Sequence, residues 1–406
     1  MYNLTDRRIV LGVTGSIAVY KAVDLTSKLT QAGAGVDVVM TPEATKFVAP
    51  ITFQSVSGRR VYWDMWDPYS DVSEPHVALA RAADLMVIAP ATATTIARLA
   101  LGLAEEMVSL TALATRAPIV VCPAMDGQMF EHAASQGHLE VLRSRGVHVI
   151  GPEEGRLASG QLGRGRLSEV ESVIGGIRQV LGADGDLAGK KVVVSAGGTH
   201  EPIDPVRFVG NRSSGKMGFA LAEAARDRGA KATLISGPTA LAHPVGVEVV
   251  CVERAAEMRD AVVSSCEEAD ALIMAAAVAD YQPAETVGEK IKRHESEAFT
   301  LPLVRTPDVL AEVGSRIGLV KVGFAAESHD LLANARRKIA NKELDLIVAN
   351  DITARDAGFS VDTNRIVILD PEGGQEELPL MSKYEAAWRI LDRVAALLAK
   401  RSGQSS

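Results

Sequence analysis

Residues 8–40, RIVLGVTGSIAVYKAVDLTSKLTQAGAGVDVVM, decide the fold. The run Arg8–Val13 is short, apolar and rich in β-branched residues, and it ends in a Gly-Ser turn. Ile17–Ala32 then repeats its apolar residues at helical spacing, and Gly35–Met40 returns to a short apolar run. A strand, a crossover helix and a second, mostly apolar strand describe a βαβ unit in a parallel sheet covered on both faces. The pattern continues outward. Leu85–Ala89, Pro118–Cys122 and Val147–Ile150 read as further strands, with a helical stretch over Thr92–Ala114. A second series follows at Lys191–Ala196, Ala232–Ser236, Val247–Cys251, Ala269–Ala276, Val320–Phe324 and Leu344–Ala349. The expected architecture is α/β, with two doubly wound, mostly parallel sheets. GADGDLAG, residues 182–189, is small, polar and glycine-rich and reads as the linker between domains at 1–181 and 190–400. Residues 401–406 read as a disordered tail.

Composition narrows the function classes. The chain has 406 residues, 47% of them hydrophobic, which suffices for two cores. No apolar run approaches the roughly 20 residues needed to span a bilayer, and the N-terminus lacks the pattern of a signal peptide. The expected setting is cytoplasmic. Three cysteines without CxxC spacing argue against a disulfide framework or a zinc knuckle, and a net charge of −8 gives no general attraction for nucleic acid.

Three strand ends in the first half carry hydroxyl groups or a tight turn: Gly15-Ser16-Ile17, Thr41, and Pro90-Ala91-Thr92 with Thr94. A glycine turn alone fits a structural reading as well as a phosphate site. Three such ends on one edge of a parallel sheet point to a phosphorylated cofactor. His76 opens the helical run HVALARAAD, where a cap or surface role competes with a catalytic one. In the second half, Gly210-Asn-Arg-Ser-Ser-Gly215-Lys216 imitates a P-loop, but Met217 replaces the hydroxyl that would hold Mg²⁺ and no apolar strand leads into Gly210. A P-loop is therefore rejected; what remains is a glycine-rich, basic loop suited to phosphates and carboxylates.

The phrases GSIA, HVALARAAD, IAPATATTIARLALGLA and PAMDGQMF resemble the flavin-containing cysteine decarboxylases over about residues 7–170. SAGGTHEPIDPVRFVGNRSSGKMG, MAAAVADY, EKIKR, TPDVL, GFAAE and KIANKELDLIVAND resemble the phosphopantothenate–cysteine ligases across residues 190–395. Together the chain resembles the bacterial bifunctional phosphopantothenoylcysteine decarboxylase/phosphopantothenate–cysteine ligases of coenzyme A biosynthesis. The resemblance implies a flavodoxin-like, FMN-dependent decarboxylase domain followed by a Rossmann-like, CTP-dependent ligase domain. It implies FMN at Gly15, Ser16, Ile17, Thr41, Pro90, Ala91, Thr92, Thr94 and Met125, with His76, Asp126 and Ser159 in catalysis. For CTP with Mg²⁺ it implies Met274, Ala275, Ala276, Asp280, Lys290, Pro307, Asp308, Val309, Leu310, Phe324, Lys338 and Lys342. Arg207 and Asn211 are implied around an acyl-cytidylate; no residue is assigned to the metal. The substrates are then 4′-phosphopantothenate, cysteine and CTP, with neither nucleic acid nor membrane as a partner. A homo-oligomer is implied, with decarboxylase trimers linked by ligase dimers into a dodecamer.

Two departures from the family pattern bear on the chemistry, and a less consequential one is His200, where an arginine is usual. Asp126 stands in PAMDGQMF where an asparagine is usual. Ser159, in the glycine-rich segment Gly155–Arg166 that resembles a substrate flap, stands where many members carry a cysteine proton donor. A flavin prenyltransferase or FMN reductase fused to a nucleotide-binding reductase is a rival, weakened by the absence of GxGxxG in the second half. A non-catalytic flavoprotein regulator is another, weakened by the intact second half.

Overall fold

The computed structural model describes residues 3–66, 73–292, 300–314, 316, 318–327, 331–351 and 361–404. The chain divides into two compact units, Met1–Gly182 and Ala183–Ser406.

The first unit runs β1 (Arg8–Val13), α1 (Val19–Gln31), β2 (Gly35–Met40), α2 (Pro50–Ser57), β3 (Val61–Tyr62), α3 (Pro75–Ala82), β4 (Leu85–Ala91) and α4 (Ala93–Leu101). It continues through α5 (Met107–Ala114), β5 (Ile119–Pro123), α6 (Gly127–Glu131), α7 (Ala133–Ser144), β6 (His148–Val149), β7 (Glu153–Arg156), β8 (Leu162–Arg166) and α8 (Val170–Leu181). The sheet order is β3-β2-β1-β4-β5-β6, and all its pairings are parallel. Alternation along β1 explains why a continuous apolar run was needed. Ile9, Leu11 and Val13 enter the core under α1 and α8, whereas Val10 enters the opposite core with residues of α4 and α5. Chain direction across the sheet reverses between β1 and β4, so a crevice opens there beyond the strand C-termini.

Two expectations need correcting here. The stretch Thr92–Ala114 is two helices. Gly102 ends α4 in the left-handed conformation (φ 72°), and the Glu106 carboxylate caps α5 by accepting the N–H groups of Val108 and Ser109. Likewise α1 starts at Val19, not at Ile17, whose side chain is 62% exposed.

The second unit runs β9 (Lys191–Ala196), β10 (His200–Pro202), β11 (Phe208–Gly210), α9 (Lys216–Arg226), β12 (Lys231–Ser236), β13 (Glu248–Cys251), α10 (Ala255–Ser265), β14 (Ala271–Met274) and β15 (Tyr281–Pro283). Then come β16 (Leu303–Arg305), α11 (Val309–Val313), β17 (Val320–Glu327), α12 (Leu331–Lys342), β18 (Leu346–Asp351), β19 (Thr363–Leu369), β20 (Gln375–Ser382) and α13 (Lys383–Gln404). Its main sheet has the order β13-β12-β9-β14-β17-β18-β19-β20, parallel up to β18 and antiparallel in the last two strands. Helices α9 and α13 cover one face; α10, α11 and α12 cover the other. The direction reverses between β9 and β14.

The linker segment is not a free tether. Leu187 is fully buried in the second core and its N–H donates to the Arg228 carbonyl. The tail reads differently too, because α13 continues through Lys400 to Gln404. Among the described residues, no helix is long and apolar enough to cross a membrane.

Candidate functional sites

In the first unit, the C-terminal ends of β2, β1 and β4 lie side by side, which brings Thr41, Gly15-Ser16-Ile17 and Pro90-Ala91-Thr92 onto one edge. Thr14, not singled out from the sequence, stitches two of these ends. Its hydroxyl donates to the Pro90 carbonyl at 2.7 Å and accepts the Thr92 N–H at 3.0 Å. Thr92 caps α4, its hydroxyl accepting from the Thr95 N–H, while Thr94 is exposed on the first turn. The Ser16 hydroxyl accepts the Ala18 N–H, and Thr41 closes the next turn by accepting from the Ala44 N–H. A Cβ at Gly15 would stand 2.5 Å from the Cβ of Glu43, so only glycine lets these two loops approach so closely. The result is a row of hydroxyls and helix N-termini at the crevice, a chemistry suited to a phosphate.

Beside β5 lies the loop of Met125 and Asp126. Asp126 caps α6 by accepting the Gln128 N–H, and its other oxygen accepts the Ser159 hydroxyl at 2.7 Å. These two residues, both departures from the family pattern, are thus hydrogen-bonded to each other. The β7–β8 hairpin holds the same loop through its backbone, with the Met125 N–H donating to the Gly165 carbonyl at 3.0 Å. A Cβ at Gly165 would fall 2.2 Å from the Met125 carbonyl oxygen, so this docking requires glycine. Arg164 lies over the Phe130 ring at 5.4 Å. His76 occupies the first turn of α3 behind Pro75, half-buried. Cys122, buried on β5 below this loop, has its thiol pushed up to about 12 by burial and is inert.

In the second unit, a cavity of about 970 Å³ opens at the strand C-termini around the β9/β14 reversal. It gathers Met274, Ala275, Ala276, Asp280, Pro307, Asp308, Val309, Leu310, Phe324, Lys338, Lys342 and Asn211 on its wall. These come from five separate segments. Two hydroxyls on and after β9 fix the loop that follows β14. Ser195 accepts the Ala276 N–H at 3.1 Å and Thr199 accepts the Ala279 N–H at 2.9 Å. Asn211 is aimed by donating to the Val278 carbonyl at 2.9 Å. The Lys338 ammonium donates to the Phe324 carbonyl at 2.6 Å, and Lys342 is ion-paired with Asp308. Arg212 and Lys216 of the basic loop at 210–216 line the same cavity, and so do Lys383, Arg305, Asn350 and Asn364, which sequence reading had not singled out.

Lys290 and Arg207 lie outside that wall. Arg207 forms a bidentate pair with the buried Asp204, at 2.9 and 2.5 Å, and donates to the Ile291 carbonyl. Burial alone would raise the Asp204 carboxyl, but Arg207 and the N–H groups of Val206, Arg207 and Ile291 hold it well below the usual carboxylate range. With bonds from Val287 and Thr286 to Ile203 and Pro202, this clamp fastens the stretch that carries Lys290. Lys290 itself is exposed.

The comparisons with known proteins agree with this division. Residues 1–182 match the family model described as Flavoprotein, and residues 187–398 match the C-terminal domain of the DNA/pantothenate metabolism flavoproteins. The coenzyme A biosynthesis bifunctional protein CoaBC of Bacillus subtilis (strain 168) is 46% identical over 407 residues, covering 99% of this chain and all of that one. Its counterpart in Escherichia coli (strain K12) is 41% identical over 396 residues, covering 97% of each chain. The chain therefore belongs to the family of bifunctional coenzyme A biosynthesis proteins, with a phosphopantothenoylcysteine decarboxylase in its first unit and a phosphopantothenate–cysteine ligase in its second.

Proposed function

We propose that the ligase activates 4′-phosphopantothenate with CTP, forming an acyl-cytidylate and pyrophosphate, before the cysteine amine displaces CMP. The observation that carries this reading is the cavity wall, which sets Lys338 and Lys342 on α12 against Asp280 and Asn211. A carboxylate attacking a triphosphate brings two polyanions together, and cations that meet the growing charge lower that barrier. Asp280, exposed at the cavity, would hold a ribose hydroxyl or the Mg²⁺ that accompanies the nucleotide, an ion that takes one or two protein carboxylates. Asp308 is already engaged by Lys342.

FMN is the cofactor proposed for the first unit, its phosphate on the Gly15-Ser16 turn and the Thr92 cap. Bound there, it would supply two-electron redox chemistry, taking up electrons from the cysteinyl thiol so that CO₂ can be lost from the position β to a C=S group and returning them to the resulting ene-thiol, with no outside oxidant needed. His76 then serves as the base, and the β7–β8 hairpin shields the reacting group from water. The product is 4′-phosphopantetheine. A purified chain that shows no flavin absorbance under any reconstitution would sink this half of the reading; the expected result is one FMN per chain, retained after truncation near residue 185.

Ser159 should contribute less than the hairpin that carries it. Ser159→Ala removes one exposed hydrogen bond and should keep most decarboxylase turnover, whereas deleting 157–165 should stall the reaction. Stopped-flow traces of flavin reduction and reoxidation check both; a dead Ser159→Ala enzyme with normal flavin content would make the hydroxyl itself the proton donor.

The oligomer proposed is the trimer-and-dimer dodecamer. Ile17, Tyr20, Ile51, Leu101 and Leu113, all more than 60% exposed in the first unit, support an interface there. Light scattering on the full chain tests it. The setting proposed for both reactions is the cytoplasm.

A further inference from the structure

The ligase cavity has cations on both faces of its sheet. Lys338 and Lys342 come from α12 on one face. On the other face, Lys216 is the first residue of α9 and Lys383 the first of α13, and both line the cavity. Lys383 is only 6% exposed. Its ammonium donates to the carbonyls of Val361 and Thr363, and burial, followed by the charge of Lys216, makes it easier to deprotonate than usual. A buried ammonium near a second ammonium, at the positive end of a 22-residue helix, combines three unfavourable electrostatic terms. A dianion arriving between the lysines reverses all three. One internal anion already stands there: an Asp362 oxygen lies 2.7 Å from the Lys216 Nζ, on a side chain that is 87% exposed. Such an exposed pair is weak and its carboxylate swings away easily.

We propose that Lys216 and Lys383 form a phosphate subsite of the ligase cavity, and that Asp362 is a placeholder which the bound phosphate displaces. The assignment rests on the ligase activity of this unit. Its phosphate comes from 4′-phosphopantothenate or from the nucleotide, and Asn364 and Arg212 line the cavity beside it.

Removing a charge-assisted bond to phosphate should cost roughly 10–100-fold in the affinity of that one ligand. The test compares kcat/KM for 4′-phosphopantothenate and for pantothenate, which lacks the phosphate, together with KM for CTP. It is run on the full chain carrying Lys383→Met, Lys216→Met or Asp362→Asn. If the subsite holds the acid's phosphate, both lysine variants collapse the preference for 4′-phosphopantothenate over pantothenate and leave KM for CTP unchanged. If it holds a nucleotide phosphate, KM for CTP rises by that factor and the preference is kept. In either case Asp362→Asn moves the same parameter the opposite way, by a few-fold, which a merely structural role would not do. Equal losses on both acids with KM for CTP unchanged, or an Asp362→Asn change of the same sign as the lysine variants, would overturn the proposal. Should Lys383→Met fail to fold by thermal melting, Lys216→Met, at the more exposed lysine, carries the test alone. If the wild-type ligase proves to run on another nucleotide, the CTP reading fails while the acid arm still decides the subsite.

Discussion

An asparagine at His76 should lower decarboxylation by roughly 10²–10⁴-fold, the usual worth of a general acid or base. Flavin content and ligase turnover should be unchanged. The separation follows from where His76 sits. It lies on α3 and is not part of the hydroxyl row that follows β1, β2 and β4, and the ligase cavity is built wholly from the other unit. Half-buried in a first helical turn, His76 also leaves little core to disturb. The assay follows CO₂ release from 4′-phosphopantothenoylcysteine alongside the flavin spectrum. A variant that loses its flavin would identify His76 as a structural residue of the cofactor site.

The second large effect separates the two ligase steps. Activation develops charge on the α-phosphate and the departing pyrophosphate, so it leans on the cavity cations and on Lys290 of the fastened stretch. Losing a donor aimed at developing charge costs about 10²–10³-fold. Lys290→Gln should accordingly release little pyrophosphate and trap little cytidylate. The second step has no pyrophosphate and needs the activated acyl group held still for the amine. Asn211, aimed by its bond to the Val278 carbonyl, is placed for that task. Asn211→Asp sets a carboxylate against that carbonyl, so the intermediate should form in a single turnover, pass slowly to cysteine and accumulate. Quantifying trapped cytidylate without cysteine distinguishes the two variants. Equal loss of the intermediate in both would refute the division.

How far the sequence carried the fold can be read from particular residues. Where a strand lies between two helical layers, as β1 and β9 do, the positions after the first are apolar or small on both faces and the run is unmistakable. The break between α4 and α5 was missed because Gly102 sits in a stretch whose apolar spacing continues across it; only the Glu106 cap reveals the second start. The site was legible where one segment supplies several residues, as in MAAAVADY and TPDVL. It was not legible where the fold brings distant single residues together. Lys383 is the first residue of the last helix, and nothing around it in the chain marks a ligand. It meets Lys216 only because β20 returns antiparallel to the strand C-terminal edge, with Ser382 paired to Thr363. The bond between Ser159 and Asp126 was hidden for the same reason, although each residue had separately stood out.

Pyrophosphate release from the full chain tests the central claim most directly. With CTP and 4′-phosphopantothenate but no cysteine, the account predicts a burst of about one pyrophosphate per chain, and steady turnover once cysteine is added. Release that needs cysteine from the start, or that ATP supports as well as CTP does, would contradict it.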